Sequence, residues 1–264
     1  MAKKALITGF SSGIGFAYSK HLANEGWKLD LVSKNKDRSK KSEIILNYDS
    51  ADFYNADLSK KESITDIVSG FDTPDLIIAN AGIAINGAIG KLNDLEKKEA
   101  YYLMCGGVID LIEGFIPEMI ERGSGRIVII SSIGAITAMP KSSIYSSIKS
   151  GIYAYGKSIS AELRPKGINV TVSLPGYVRT NAHKRAGLDH LEGKVPKWMW
   201  VSAETVVKET EKASIAGRSE VIPGIVYRIT KPFLKFKSAI VALPPPLFKK
   251  PRAISPVPPA KSSK

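Results

Sequence analysis

Tyr145 and Lys149 stand four residues apart in a stretch with helical patterning, so both side chains project from one helix face. A tyrosine hydroxyl in water titrates near roughly 10, too high for efficient proton exchange at neutral pH. An ammonium held beside it favours the phenolate, and the pair can then act as acid and base. Such a pair also occurs on many exposed amphipathic helices, and alone it would say little. A second constellation stands near the start of the chain, where Thr8-Gly9-Phe10-Ser11-Ser12-Gly13-Ile14-Gly15 follows the apolar run Lys4-Ala5-Leu6-Ile7-Thr8 and opens a helical stretch. Glycine there permits positive φ and close approach of a ligand to the backbone. The free N–H groups and the dipole of the helix behind it favour an anion. Glycines mark many turns, but strand before and helix after point to nucleotide phosphate.

These residues need a scaffold, and the chain alternates strands with helices. Short strand-like runs fall at 4–8, 29–33, 51–55, 76–79, 127–131 and 168–173, with a last one near 220–222. Helical patterning covers 13–25 (closed by Gly26), 60–69, 94–121, 143–164 and 203–216. Asp30 interrupts the second run. Near-continuous apolar strands between helices imply an α/β fold with a parallel sheet buried on both faces. The right-handed crossover rule makes it doubly wound.

Length and composition fit that scheme. The chain has 264 residues, 44% of them hydrophobic and 24% charged, with mean hydropathy near −0.04. That is ordinary globular composition with ample length for a core. No apolar run approaches the roughly 20 residues of a membrane-spanning helix, and Met1-Ala2-Lys3-Lys4 leads straight into a strand without signal-peptide character. The single cysteine, Cys105, excludes an internal disulfide, no Cys/His cluster suggests a metal, and a cytoplasmic location is expected. The net charge of +13 is uneven: nine basic and no acidic residues fall in 221–264, and residues 1–220 carry only +4. The partner implied by basicity is therefore a partner of the tail. Its basic residues lie among Phe233, Leu234, Phe236, Ile240 and Val241, outside any nucleic-acid motif, so no nucleic acid is expected.

Six ordered motifs resemble those of the short-chain dehydrogenase/reductase family. They are the T-G-x-x-x-G-I-G turn, Asp57-Leu58, Asn80-Ala81-Gly82, Ser131-Ser132, Tyr145-Ser146-Ser147-Ile148-Lys149 and Pro175-Gly176-Tyr177-Val178-Arg179-Thr180, and the resemblance spans roughly residues 3–222. It implies a Rossmann fold in one domain (1–222, with a lid over about 180–201), followed by a basic C-terminal extension at 223–264. It implies that Tyr145 supplies a proton while hydride passes from a nicotinamide to a carbonyl carbon. Ser132 would bind the carbonyl oxygen, and Lys149 would hold the nicotinamide ribose and, with the oxidised ring, lower the pKa of Tyr145. The cofactor would rest on Gly9, Ser11, Ser12, Gly13, Ile14 and Gly15. Asp57 and Leu58 would meet the adenine, Asn80, Ala81 and Gly82 the ribose side, and Val178 and Thr180, next to Pro175 and Gly176, the carboxamide. The family's usual active-site asparagine maps to Met104, whose thioether cannot donate a hydrogen bond. Tyr101, Tyr102 or Cys105 could substitute for it, or Met104 could simply pack.

NAD-preferring relatives carry an acid at the end of the second strand; here Ser33 and Lys34 stand there, which favours NADP (NADPH). Lys34 and Lys36 also read as part of a solvated basic loop. In the lid, Trp198, Met199 and Trp200 suit an apolar substrate or pack on the sheet, and Lys184 or Arg185 could meet an acidic group. His183 and His190 read as surface residues. Beyond it, Ile225, Ile229, Phe233, Phe236 and Ile240 form an apolar stripe between basic residues, interrupted by Pro232. A stripe of this kind over 225–241 suits peripheral contact with anionic membrane, or docking on the lid or a second subunit. From about 243 onward the prolines suggest an extended or disordered chain. The tail is also similar, loosely, to that of a family subgroup in lipid or cell-envelope metabolism. The expectation is an NADP-dependent oxidoreductase of CH–OH groups, acting on a lipid-like or carrier-bound carbonyl such as a 3-oxoacyl group, in a homodimer or tetramer. The alternative is an NADP(H)-binding scaffold or redox sensor with lost or weak turnover.

Overall fold

Seven parallel strands form one sheet in the order β3-β2-β1-β4-β5-β6-β7. They are β1 (Lys4–Thr8), β2 (Lys28–Ser33), β3 (Ala51–Asn55), β4 (Leu76–Ala79), β5 (Gly125–Ile130), β6 (Ile168–Ser173) and β7 (Glu220–Val221). The helices are α1 (Gly13–Asn24), α2 (Lys61–Gly70), α3 (Asp94–Tyr101), α4 (Gly107–Arg122), α5 (Ser143–Leu163) and α6 (Ala203–Ile215). This computed structural model describes residues 2–35, 37, 40, 50–85, 89–137, 142–180 and 195–229. Most of the expected lid and the chain from 230 onward, including Phe233, Phe236 and Ile240, lie outside the described residues.

Strand alternation sorts the apolar side chains into two cores. Leu6, Ile77, Ile127 and Ile129 face α2, α4 and α5, whereas Ala5, Ile7, Ile78 and Val128 face α1 and α6. Period-two projection with both faces buried explains why the strands read as unbroken apolar runs. The edge strand β3 is the exception and is largely exposed. Asp30 is buried in β2, where the Lys4 ammonium lies 3.0 Å from its carboxylate across the adjoining strand. Burial raises the pKa of Asp30, and Lys4 opposes that rise. Its position in the sheet is thus structural, away from the site described below.

The helix expected over 94–121 is interrupted. A capping box between Asn93 and Glu96 starts α3, but Tyr102–Gly106 forms a π-helical turn before α4 resumes. Gly106 ends that turn and Gly107 follows it, and a Cβ at Gly107 would come within 2.9 Å of the Tyr102 carbonyl oxygen. Weak helix propensity and close approach allow the wider turn here, a feature often found at functional sites.

Candidate active site

The order of strands reverses between β1 and β4, and in such sheets ligands bind at the carboxyl ends beside that reversal. A cavity of about 800 Å³ opens there. The glycine turn forms its floor. Gly9 and Gly13 have φ of 71° and 59°, and a Cβ on Gly9 would come within 2.9 Å of Ala81 Cα. The Asn80 side-chain amide fixes the turn, donating to the carbonyl oxygens of Thr8 (2.9 Å) and Gly9 (3.2 Å), and the Thr8 hydroxyl accepts from the Asn80 and Ala81 amides. Bare backbone at the head of α1 therefore faces the cavity, which fits a pyrophosphate.

Ser11, Ser12, Ile14, Ala81, Gly82 and Leu58 join Gly9, Gly13 and Asn80 in the lining. Gly15 does not line it. A Cβ there would stand 2.3 Å from the Gly9 carbonyl oxygen, so this glycine serves the close packing of α1 on the turn. Gly15, expected among the cofactor contacts, stands directly behind Ile14, which does line the cavity.

Ser132, Tyr145 and Lys149 line the same cavity, beside Pro175, Gly176, Val178 and Thr180. Ser132 caps the short 3-10 turn Ile133–Ala135, its hydroxyl accepting from the Gly134 amide at 3.1 Å. The Ser132 and Tyr145 side chains share a hydrogen bond. Lys149 is buried, and its ammonium donates to the Ile130 carbonyl oxygen at 3.0 Å, while the Ser131 hydroxyl donates to the Lys149 carbonyl at 2.9 Å. The end of β5 thus grips α5 at the turn that carries the pair. Burial lowers the pKa of Lys149 to about 8, with Cys105 opposing. Burial also raises Tyr145 above its ordinary value, and the bond with Ser132 opposes that rise. Ser132 is thus the counterweight to burial at the phenol.

At the far end of the cavity, the Ser33 hydroxyl donates to that of Ser11 at 2.8 Å, joining the end of β2 to the glycine turn. Lys34 pairs with Asp57 at 2.7 Å. Burial pushes Asp57 up, but hydrogen bonds from Lys34 and Ser59 outweigh it and hold the carboxyl below its ordinary value. Asp57, expected at the adenine, is therefore already engaged with the lysine expected to meet phosphate. Sequence reasoning missed Asn35, Ser59, Glu99 and Leu103 in the lining. These sit next to recognised positions but carry no spacing signal of their own.

Met104 is buried on the π-helical turn and also lines the cavity. A Cβ on Gly82 would lie 3.4 Å from its sulfur, so the thioether packs under the loop after β4. Tyr102 faces away to Asp110, donating at 2.7 Å. Tyr101 and Cys105 share a side-chain hydrogen bond. Trp198, Met199 and Trp200 are not in the lining: Trp198 is 64% exposed, Met199 packs on the core and the Trp200 ring lies 5.5 Å from that of Tyr177, tilted by 44°. His183, Lys184, Arg185 and His190 lie outside the described residues.

The sheet order and the glycine cradle define a nucleotide-binding protein of the doubly wound α/β class. Residues 3–190 match the family model for short chain dehydrogenase. The chain is 27% identical over 220 residues to the 3-oxoacyl-(acyl-carrier-protein) reductase FabG of Chlamydia trachomatis serovar D, covering 81% of this chain and 88% of that protein. It is 31% identical over 228 residues to the uncharacterized oxidoreductase YmfI of Bacillus subtilis, covering 81% and 94%. A short-chain dehydrogenase from Sphingobium yanoikuyae, solved in complex with NADPH, superposes with TM-score 0.79 at 24% identity, over 96% of this chain and 99% of that one. The chain belongs to the short-chain dehydrogenase family and is an oxidoreductase of that family.

Proposed function

We propose that the chain is an NADP-dependent oxidoreductase that interconverts a ketone and a secondary alcohol, with an apolar, lipid-like or carrier-bound substrate such as a 3-oxoacyl group. The observation that carries this reading is the meeting of Ser132, Tyr145 and Lys149 with the glycine cradle on one cavity. A nicotinamide dinucleotide held on the glycine cradle would supply the hydride in the reducing direction. Tyr145 supplies the proton to the carbonyl oxygen through its hydroxyl, and Ser132 donates a hydrogen bond that holds the charge developing on that oxygen. Lys149, anchored on the Ile130 carbonyl, keeps a cation near the phenol and orients the ribose. NADP is favoured by Ser33 and Lys34 in the lining at the end of β2, where the strand ends in a hydroxyl and an ammonium instead of an acid, and the nearby Asp57 carboxylate is paired with that ammonium. Similarity to a 3-oxoacyl reductase supports the substrate class.

The same reading assigns a cytoplasmic protein that assembles as a homodimer or tetramer, with residues 1–222 as the catalytic domain and 225–241 touching anionic membrane. Ile225 and Ile229, both exposed, support the membrane contact, and among the described residues no helix is long and apolar enough to cross a membrane. The deciding experiment follows NADPH and NADH oxidation against a carbonyl panel that includes 3-oxoacyl thioesters, for the wild type and Tyr145→Phe. Wild-type turnover should fall roughly a hundred- to ten-thousand-fold in the variant. Equal rates in both proteins would overturn the mechanism. A dinucleotide-binding scaffold without turnover is the second reading, favoured by the apolar Met104 in the lining. Rapid reduction of any carbonyl in the panel excludes it.

A further inference from the structure

Tyr227 comes after the last strand, in the helical residues 225–229, yet it is only 3% exposed. Ile225 and Ile229 on either side of it face outward. The Tyr227 ring lies against Gly176, where an added Cβ would come within 2.0 Å of a ring carbon. Its hydroxyl accepts from the Tyr177 amide at 2.9 Å and donates to the Met199 carbonyl oxygen at 2.6 Å. Those two backbone groups belong to facing stretches. Val178 bridges Val201, the Val201 amide donates to the Tyr177 carbonyl at 2.8 Å, and the Arg179 amide donates to the Val201 carbonyl at 2.9 Å. One phenol therefore joins three segments of chain.

The wall it supports belongs to the cavity. Gly176 and Val178 line it, and the carbonyl of Pro175 accepts from the amide of Ile133, next to Ser132, at 2.9 Å. The segment that carries Tyr227 is itself tethered by Glu209, which accepts from the Gly224 amide at 3.0 Å and from Arg228 at 2.8 Å. Phenylalanine would fill the same space but deprive the Tyr177 amide and the Met199 carbonyl of the hydroxyl that joins them. Polar groups left unpaired away from water shift until they find another partner.

We infer that Tyr227 is a positioning residue that sets the Gly176–Val178 wall of the dinucleotide cavity, which makes the segment 224–228 part of the framework of the cofactor site. The inference rests on the proposed reading of the cavity as a dinucleotide site. The test measures Kd for NADPH and NADH by fluorescence quenching, with KM, kcat and thermal unfolding, for the wild type, Tyr227→Phe and Glu209→Gln. Tyr227→Phe should raise the Kd and KM of the preferred dinucleotide about three- to tenfold, with kcat held within about twofold. Glu209→Gln, which loosens the tether without touching the wall, should raise both less, and it stands in if Tyr227→Phe does not fold. Unchanged Kd and KM in the folded variants, even with lower thermal stability, would make Tyr227 a packing residue and overturn the inference. A wild type that binds neither dinucleotide would refute the dinucleotide reading and this inference with it, whereas wild-type binding that the variants leave unmoved refutes the role of Tyr227 alone.

Discussion

Lys149 donates from its ammonium to the carbonyl oxygen of Ile130 at 3.0 Å, which anchors a buried cation to the last residue of β5. The arrangement holds the charge at the cavity and at the same time withholds it from water.

Lys149→Met should therefore stabilise the fold while removing turnover. Burial lowers the lysine from its ordinary value to about 8. Below about pH 8 it is charged in both folded and unfolded chains, and the whole desolvation penalty opposes folding. Between that value and the unfolded pKa the folded protein sheds the proton first, so wild-type stability rises with pH and the penalty fades. Urea unfolding at pH 6.5 should show the variant more stable by about 1–3 kcal/mol, with the gap narrowing toward alkaline pH. A gap that widens with pH would contradict the assignment.

On the proposed reading of NADP as the favoured dinucleotide, Lys34→Glu should reverse that preference. The lysine already spans 2.7 Å to Asp57, so the substitution places a second carboxylate beside the first at the end of β2. Initial-rate kinetics should show KM for NADPH raised by about tenfold or more, and KM for NADH changed much less.

Gly15→Ala should destabilise the turn. Its Cβ would stand 2.3 Å from the Gly9 carbonyl oxygen and 2.6 Å from the Asn80 amide nitrogen, and neither backbone nor amide has room to yield. A loss of about 1–3 kcal/mol by urea unfolding is expected, together with weaker dinucleotide binding.

The C-terminal basic segment should carry the protein onto anionic vesicles. Co-sedimentation should be strong at low salt and weaken as ions screen the exposed charges, and Ile225→Ser with Ile229→Ser should reduce it further. Absence of binding at low salt would remove the membrane contact.

The sheet was readable because its strands are buried on both faces and announce themselves as apolar runs between helices, β3 being signalled more by its position than by burial. The glycine turn and the Tyr145–Lys149 spacing were readable because backbone freedom and helical periodicity are local properties. The π-helical turn at Tyr102–Gly106 was not, since it depends on how tightly Gly107 meets the Tyr102 carbonyl and the loop at Leu58. The engagement of Lys34 by Asp57 and the ring of Tyr227 under Gly176 join residues distant in the chain, and no spacing rule reports such contacts. The pKa of Tyr145 likewise follows from its burial, which composition does not reveal.

Cys105 sits on the π-helical turn, buried, with burial raising its thiol pKa and Tyr101 opposing that rise. As the sole cysteine of the chain, it makes alkylation a clock for local opening of that turn, whose Met104 lines the cavity. Iodoacetamide should label the native protein slowly, the rate should fall further when a ligand fills the cavity, and each labelled molecule would report one excursion of that turn.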